Sequence, residues 1–178
     1  MKRSIVLIGM MGAGKSAVGA ELGRRLGVPV RDTDTEIQAA AAATIPEIFA
    51  RDGEAFFRAR ESEVLARVLR GPAGIVSTGG GAWMRPENRT LIAGAGVSVW
   101  LDCKLSTLWR RVKQKPTRPL LQTPDPRGTL ERLMAERAPA YALADITVAV
   151  QDSDSVEATA TRVLDALRAH RPDILEPA

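Results

Sequence analysis

Residues 5–16, Ile5-Val6-Leu7-Ile8-Gly9-Met10-Met11-Gly12-Ala13-Gly14-Lys15-Ser16, decide the fold. Gly9 to Ser16 fits the spacing G-x-x-x-x-G-K-[ST] of a phosphate-binding loop, the P-loop. The four apolar residues before it read as a buried parallel strand. The residues after it, Lys15 to Leu26, place Val18, Leu22 and Leu26 on one helical face. Strand, glycine loop and helix are the context that gives the motif its meaning. The glycines let the backbone turn back, so the N–H groups of Gly12, Ala13, Gly14, Lys15 and Ser16 converge at the positive end of the helix. Lys15 adds a point charge for the β- and γ-phosphates, and Ser16 a hydroxyl for Mg²⁺.

Working outward, short β-like runs alternate with helical patterns. The runs cover residues 4–9, 28–32, 73–77, 97–102 and 145–150. The helical stretches cover 15–26, 34–41, 46–70, 86–94, 105–112, 127–142 and 154–168. That alternation predicts right-handed βαβ crossovers and a parallel sheet covered on both faces, an α/β fold. For the last helix, Ser153 or Asp154 is the expected cap.

The length of 178 residues suits one domain, and the single Cys103 excludes an internal disulfide framework. Lys2 and Arg3 followed by Ile5 to Ile8 imitate a leader for a few residues. The run stops at glycines with no cleavage site, and no segment reaches membrane-spanning length. A soluble cytoplasmic protein is expected. The net charge is +4, yet the arginines are dispersed and aromatic residues are few. A pocket for small anions accounts for the excess better than nucleic acid or membrane does.

Carboxylates at strand ends are candidates for metal support, because open α/β sheets bind ligands there. Asp32 and Asp34 end the second run, and extended backbone would aim both the same way; the competing expectation is that one of them caps the next helix. Asp102 reads as a cap or turn before Leu105. Phe57 and Glu61 lie four apart on one helix face, with Arg58 three before Glu61. Arg58 fits either a carboxylate clamp or a surface pair with Glu54. Gly79-Gly80-Gly81 brings bare backbone N–H groups to the sheet edge. Residues 113–126 contain four prolines, which exclude a helix and point to a lid. The tail 169–178 is expected to fray, and His170 to be solvated.

Taken together, GMMGAGKS at 9–16, DTD at 32–34, IF at 48–49, DGEAFFR at 52–58, GGG at 79–81, RPLL at 118–121 and ERAPAY at 136–141 resemble the shikimate kinases. The segments occur in that family's order and span the chain to Tyr141. The resemblance implies the nucleoside-monophosphate-kinase type of three-layer P-loop kinase fold, with a five-stranded parallel sheet in the order 2-3-1-4-5 flanked by helices and a mobile lid at about 113–126. It implies transfer of the γ-phosphoryl of ATP to the 3-hydroxyl of shikimate, with Mg²⁺, in aromatic amino-acid biosynthesis.

By matching positions, the resemblance gives Asp34, Arg58, Gly80 and Arg137 to shikimate, with Gly79, Gly81, Phe49, Phe57 and Glu61 around it in a subdomain at about 33–61. It gives Lys15, Asp34 and Arg118 to catalysis, Arg118 arriving from the lid. It has Arg111 stack on adenine, helped by the loop after Val150 at Gln151. It gives Ser16, and Asp32 through water, to the metal. Ala17 stands where the family usually carries Thr or Ser, which implies a weaker hold on the α-phosphate. An alanine-rich stretch replaces the family's usual glycine before Ile45. A gluconate kinase, whose loop can also read GKSAV, and a nucleotide-binding module without catalysis are the rival readings; adenylate kinase fits less well, since no long second nucleotide-binding insertion appears. A monomer is the expected state.

Overall fold

Every residue of β1 (Ser4–Ile8) is buried. A strand with apolar side chains on both faces needs cover on both, and it lies mid-sheet for that reason. The computed structural model describes residues 1–113 and 119–175. Its sheet has five strands in the order β2-β3-β1-β4-β5, the order that the family resemblance implies. The other strands are β2 (Val30–Asp32), β3 (Ile75–Ser77), β4 (Gly96–Cys103) and β5 (Ile146–Val150). All four pairings are parallel. Edge strand β5 alternates: Ile146, Val148 and Val150 are buried, Thr147 and Ala149 exposed.

Helices α1 (Lys15–Leu26), α2 (Thr33–Ala41), α3 (Ile45–Arg70), α4 (Pro86–Ala95), α5 (Leu105–Val112), α6 (Pro126–Tyr141), α7 (Val156–His170) and α8 (Pro172–Leu175) flank the sheet. Helix α1 packs on α7, α3 on α4, and α5 on α6. A capping box opens α3: the Thr44 hydroxyl accepts from the Glu47 N–H while the Glu47 carboxylate accepts from the Thr44 N–H. Gly53, at φ 83° and ψ 169°, then breaks α3 into two kinked segments. The second segment starts where Asp52-Gly53-Glu54 marks a helix beginning. None of the described helices is long and apolar enough to cross a membrane.

The structure corrects several expectations. Strands β2 and β3 are shorter than expected at their starts. Pro29 has no N–H for a ladder, and its carbonyl accepts from Ile75 instead. Ser155, not Ser153 or Asp154, caps α7. Asp102 is no cap: it lies within β4, opposite Ala149, and Lys104 stands at the start of α5. The tail does not fray from residue 169. Helix α7 runs to His170, and α8 follows with Ile174 fully buried, because one apolar side chain finds the core. Of the expected lid, residues 114–118 lie outside the described residues, and Arg118 with them. Pro119–Leu121 form a 3₁₀ turn, and Asp125 caps α6.

Candidate active site

The loop between β1 and α1 turns back on glycines. Gly12 has φ 81° and Gly14, the residue capping α1, has φ 94°. Side chains rarely adopt these values, so glycine is required at both. No side chain caps α1, which leaves its first N–H groups for an anion. The Lys15 ammonium curls over the loop and donates to the carbonyls of Gly9 at 2.8 Å and Met10 at 2.9 Å. The Ser16 hydroxyl donates to Asp32 Oδ2 at 2.5 Å. From the other side, Arg111 of α5 donates to the carbonyls of Gly12 at 3.1 Å and Ala13 at 3.3 Å.

Asp32 and Asp34 part ways. Asp32 ends β2 and also caps α2, its Oδ1 accepting from the N–H groups of Asp34 and Thr35. Asp34 is already helical, so the extended-backbone argument for parallel carboxylates fails. Capping and metal support are not alternatives for Asp32: one oxygen serves each. Behind the loop, Cys103 packs near the Ala13 carbonyl, and burial pushes its thiol up to about 11.

A cavity of about 580 Å³ is lined by residues 11–18, Ala17 included, together with Asp32, Asp34, Arg111 and the start of α7. Its far wall is formed by Val150 and Asp154 to Val156. Gln151 is not among the residues that line this cavity. It is exposed, and its N–H donates to Asp154 Oδ2 at 2.6 Å in the turn behind that wall.

A second cavity of about 280 Å³ adjoins the first, and both are lined by Met11, Asp34, Gly79 and Gly80. Here Phe49 and Phe57 form an apolar wall, ring centroids 4.8 Å apart at 45°. Arg58 lies over the Phe57 ring, 5.2 Å from its centroid. Arg58 donates to Glu61 Oε2 at 2.8 Å and to Glu54 at 3.4 Å, so the pair with Glu54 forms while the guanidinium also lines the cavity. Arg137, from α6, is 7% exposed. Two guanidinium groups beside a small apolar-walled cavity can hold one carboxylate and a ring.

Glu61 is fully buried, and its Oε1 has no hydrogen-bond partner among the described residues. Burial raises its carboxyl above the ordinary value, and the Arg58 charge only partly offsets this. Burial also works against the charge of Arg58, but Glu61 and Glu54 hold the guanidinium above its usual value. The glycine run fits by close approach. A Cβ on Gly79 would stand 2.6 Å from Glu61 Oε1 and 2.9 Å from Asp34 Oδ1, and one on Gly81 would stand 2.5 Å from the Arg58 guanidinium.

The structure thus brings together the P-loop, Asp32, Asp34, Phe49, Phe57, Arg58, Glu61, Gly79 to Gly81, Arg111 and Arg137. Gln151 stays outside the cavity, and Arg118 is not among the described residues. Sequence reasoning missed Tyr141, whose hydroxyl donates to the Gly80 carbonyl at 2.5 Å. The signal was its place four residues after Arg137, one helical turn along α6.

Comparison with known proteins agrees. The family model described as shikimate kinase matches residues 11–168. The shikimate kinase of Cereibacter sphaeroides is 56% identical over 176 residues, covering 99% of this chain and 87% of that protein. The shikimate kinase of Ruegeria pomeroyi is 53% identical over 176 residues, covering 99% and 90%. Among solved structures, shikimate kinase from Acinetobacter baumannii in complex with shikimate superposes with a TM-score of 0.91 at 34% identity, covering 95% of this chain and 94% of that one.

Proposed function

The chain belongs to the shikimate kinase family; it is an ATP-dependent kinase of shikimate, and we propose that its two joined cavities carry the γ-phosphoryl group from ATP to the 3-hydroxyl. One observation carries this reading. The cavity beneath the P-loop and the cavity between Arg58 and Arg137 share Asp34 and the glycine run. A donor held in one and an acceptor held in the other meet at that shared wall.

Phosphoryl transfer needs in-line placement and charge neutralisation more than covalent chemistry from the protein. The loop N–H groups and Lys15 bind the triphosphate, Lys15 leaving its carbonyl partners for phosphate oxygens. Arg111 covers the loop on the adenine side. Arg58 and Arg137 hold the shikimate carboxylate while Phe49 and Phe57 face the ring. Asp34 orients the attacking hydroxyl at the shared wall. Arg118 closes on the transferring group; support for that role is its match to the RPLL segment. Ser16 and Asp32 present a hydroxyl and a carboxylate oxygen 2.5 Å apart, hard donors that suit Mg²⁺. They would hold it directly and through water, and the ion would supply neutralisation of the triphosphate's charge.

The same reading has the chain act as one domain and a monomer in the cytoplasm, with no nucleic acid or membrane partner. Its dispersed arginines and buried Cys103 support this. A coupled ADP-release assay across shikimate, gluconate and AMP tests the whole. Turnover with shikimate alone is the expected result; equal or better turnover with gluconate or AMP would remove the assignment.

A further inference from the structure

Helix α6 brings two groups to the glycine run, one turn apart. Arg137 reaches the cavity. Tyr141 follows on the same helix face, 1% exposed, with its ring stacked on Trp100 at 5.7 Å between centroids and 23° between planes. Its hydroxyl donates to the Gly80 carbonyl at 2.5 Å. Three residues along, the Trp83 indole N–H donates to the Ala140 carbonyl at 2.6 Å. The end of α6 and residues 80–83 are therefore riveted in both directions. Burial pushes the Tyr141 hydroxyl above its ordinary value, with Arg137 opposing, so it remains a protonated donor at neutral pH.

The consequence lies in the peptide that this hydroxyl grips. No cis peptide bond is present among the described residues. In a trans peptide the carbonyl and the following N–H point in opposite directions. Drawing the Gly80 carbonyl towards buried Tyr141 turns the Gly81 N–H to the opposite side of the peptide, and Gly80 and Gly81 line the second cavity with Arg58 and Arg137. That N–H has no acceptor among the described residues. A Cβ on Gly80 would stand 3.1 Å from Arg137 Nη1, so Arg137 and this peptide are packed as one unit.

We propose that Tyr141 is a positioning residue for shikimate: its hydroxyl fixes the Gly80–Gly81 peptide so that a backbone N–H meets the substrate in step with Arg137. This rests on the shikimate kinase reading above. The hydroxyl touches neither substrate. It removes in advance the freedom of a glycine peptide that would otherwise be ordered at the expense of binding.

Tyr141→Phe deletes only the hydroxyl and keeps the ring stacked on Trp100. Calorimetric titration with shikimate and steady-state kinetics are measured on the parent, on Tyr141→Phe and on Trp100→Phe. The expected result is a rise in Kd and KM for shikimate of roughly fivefold to tenfold in Tyr141→Phe, with KM for ATP unchanged. Trp100→Phe, which trims the stack and leaves the hydroxyl bond, is expected to lower Tm while moving shikimate affinity less. Unchanged shikimate affinity in Tyr141→Phe overturns the proposal. So does an ATP KM that rises in step, or a Tyr141→Phe chain that fails to fold, since the hydroxyl would then be a general structural post. A parent enzyme inactive on shikimate would sink the functional reading itself; an active parent with an unaffected Tyr141→Phe sinks only this inference.

Discussion

Glu61 is the residue where folding and function pull in opposite directions. A fully buried carboxylate is costly unless paired, and among the described residues only one of its oxygens is bonded, to Arg58. The cost is accepted because the Arg58 guanidinium must be held at the cavity edge. Burial makes folded Glu61 bind its proton more tightly than the unfolded chain does, whose value lies near 4.5. Below that pH the associated stability is fully present, and it is lost as pH rises through the folded value. Glutamine keeps an acceptor for Arg58 and cannot titrate. The stability gap between the parent and Glu61→Gln should therefore narrow as pH rises above about 4.5, read as Tm across a pH series. A gap that widens with pH would show that pairing, not burial, dominates. The sequence spaced Arg58 and Glu61 as helix neighbours but could not show that Glu61 is buried. That depends on the kink at Gly53 and on Gly79 making room, both set by distant packing.

Single elements were legible to different depths. Helix α1 and the loop before it follow from local rules alone, since glycine spacing, apolar run and helical face all agree. Edges were less legible. The resemblance implies that the loop after Val150, at Gln151, helps Arg111 at adenine; in the structure the Gln151 N–H donates to Asp154, and Val150 and Asp154 to Val156 of that stretch line the cavity. Turn geometry of that kind depends on which side chain captures which N–H, and composition leaves it open. The tail misled for a related reason: its proline looked terminal, yet Ile174 docks. Helix α5 makes a sharper test, because Arg111 reaches the loop carbonyls of Gly12 and Ala13 and no residue of the second cavity. Arg111→Ala should raise KM for ATP roughly tenfold to a hundredfold, the range for losing bonds made by a charged donor. KM for shikimate should stay unchanged. A variant in which both constants rise together would mean that α5 supports the whole strand-end rim rather than the nucleotide half.

At the scale of the molecule, the sheet order puts β1 at the centre and sets its loop between the two halves of the site. The β2–α2 and β3 ends carry Asp32, Asp34 and the glycine run to one side; the β4–α5 end carries Arg111 to the other. This arrangement makes the two cavities neighbours that share Asp34 and the glycine run, while Arg111 lines only the first and Arg58 only the second, so each ligand should stabilise the fold largely on its own. A ligand at a hundred times its Kd adds about 2.7 kcal/mol, worth roughly 5–10 °C in Tm for a chain of this length. Thermal scans with shikimate alone, with a non-hydrolysable ATP analogue alone, and with both should show two such shifts that sum. In Arg58→Ala, at the same ligand concentrations, the shikimate shift should vanish while the nucleotide shift persists, since Arg58 belongs to the second cavity only. Loss of both shifts in Arg58→Ala would show that the cavities form one cooperative unit. A shikimate shift that survives would place the carboxylate elsewhere than between Arg58 and Arg137.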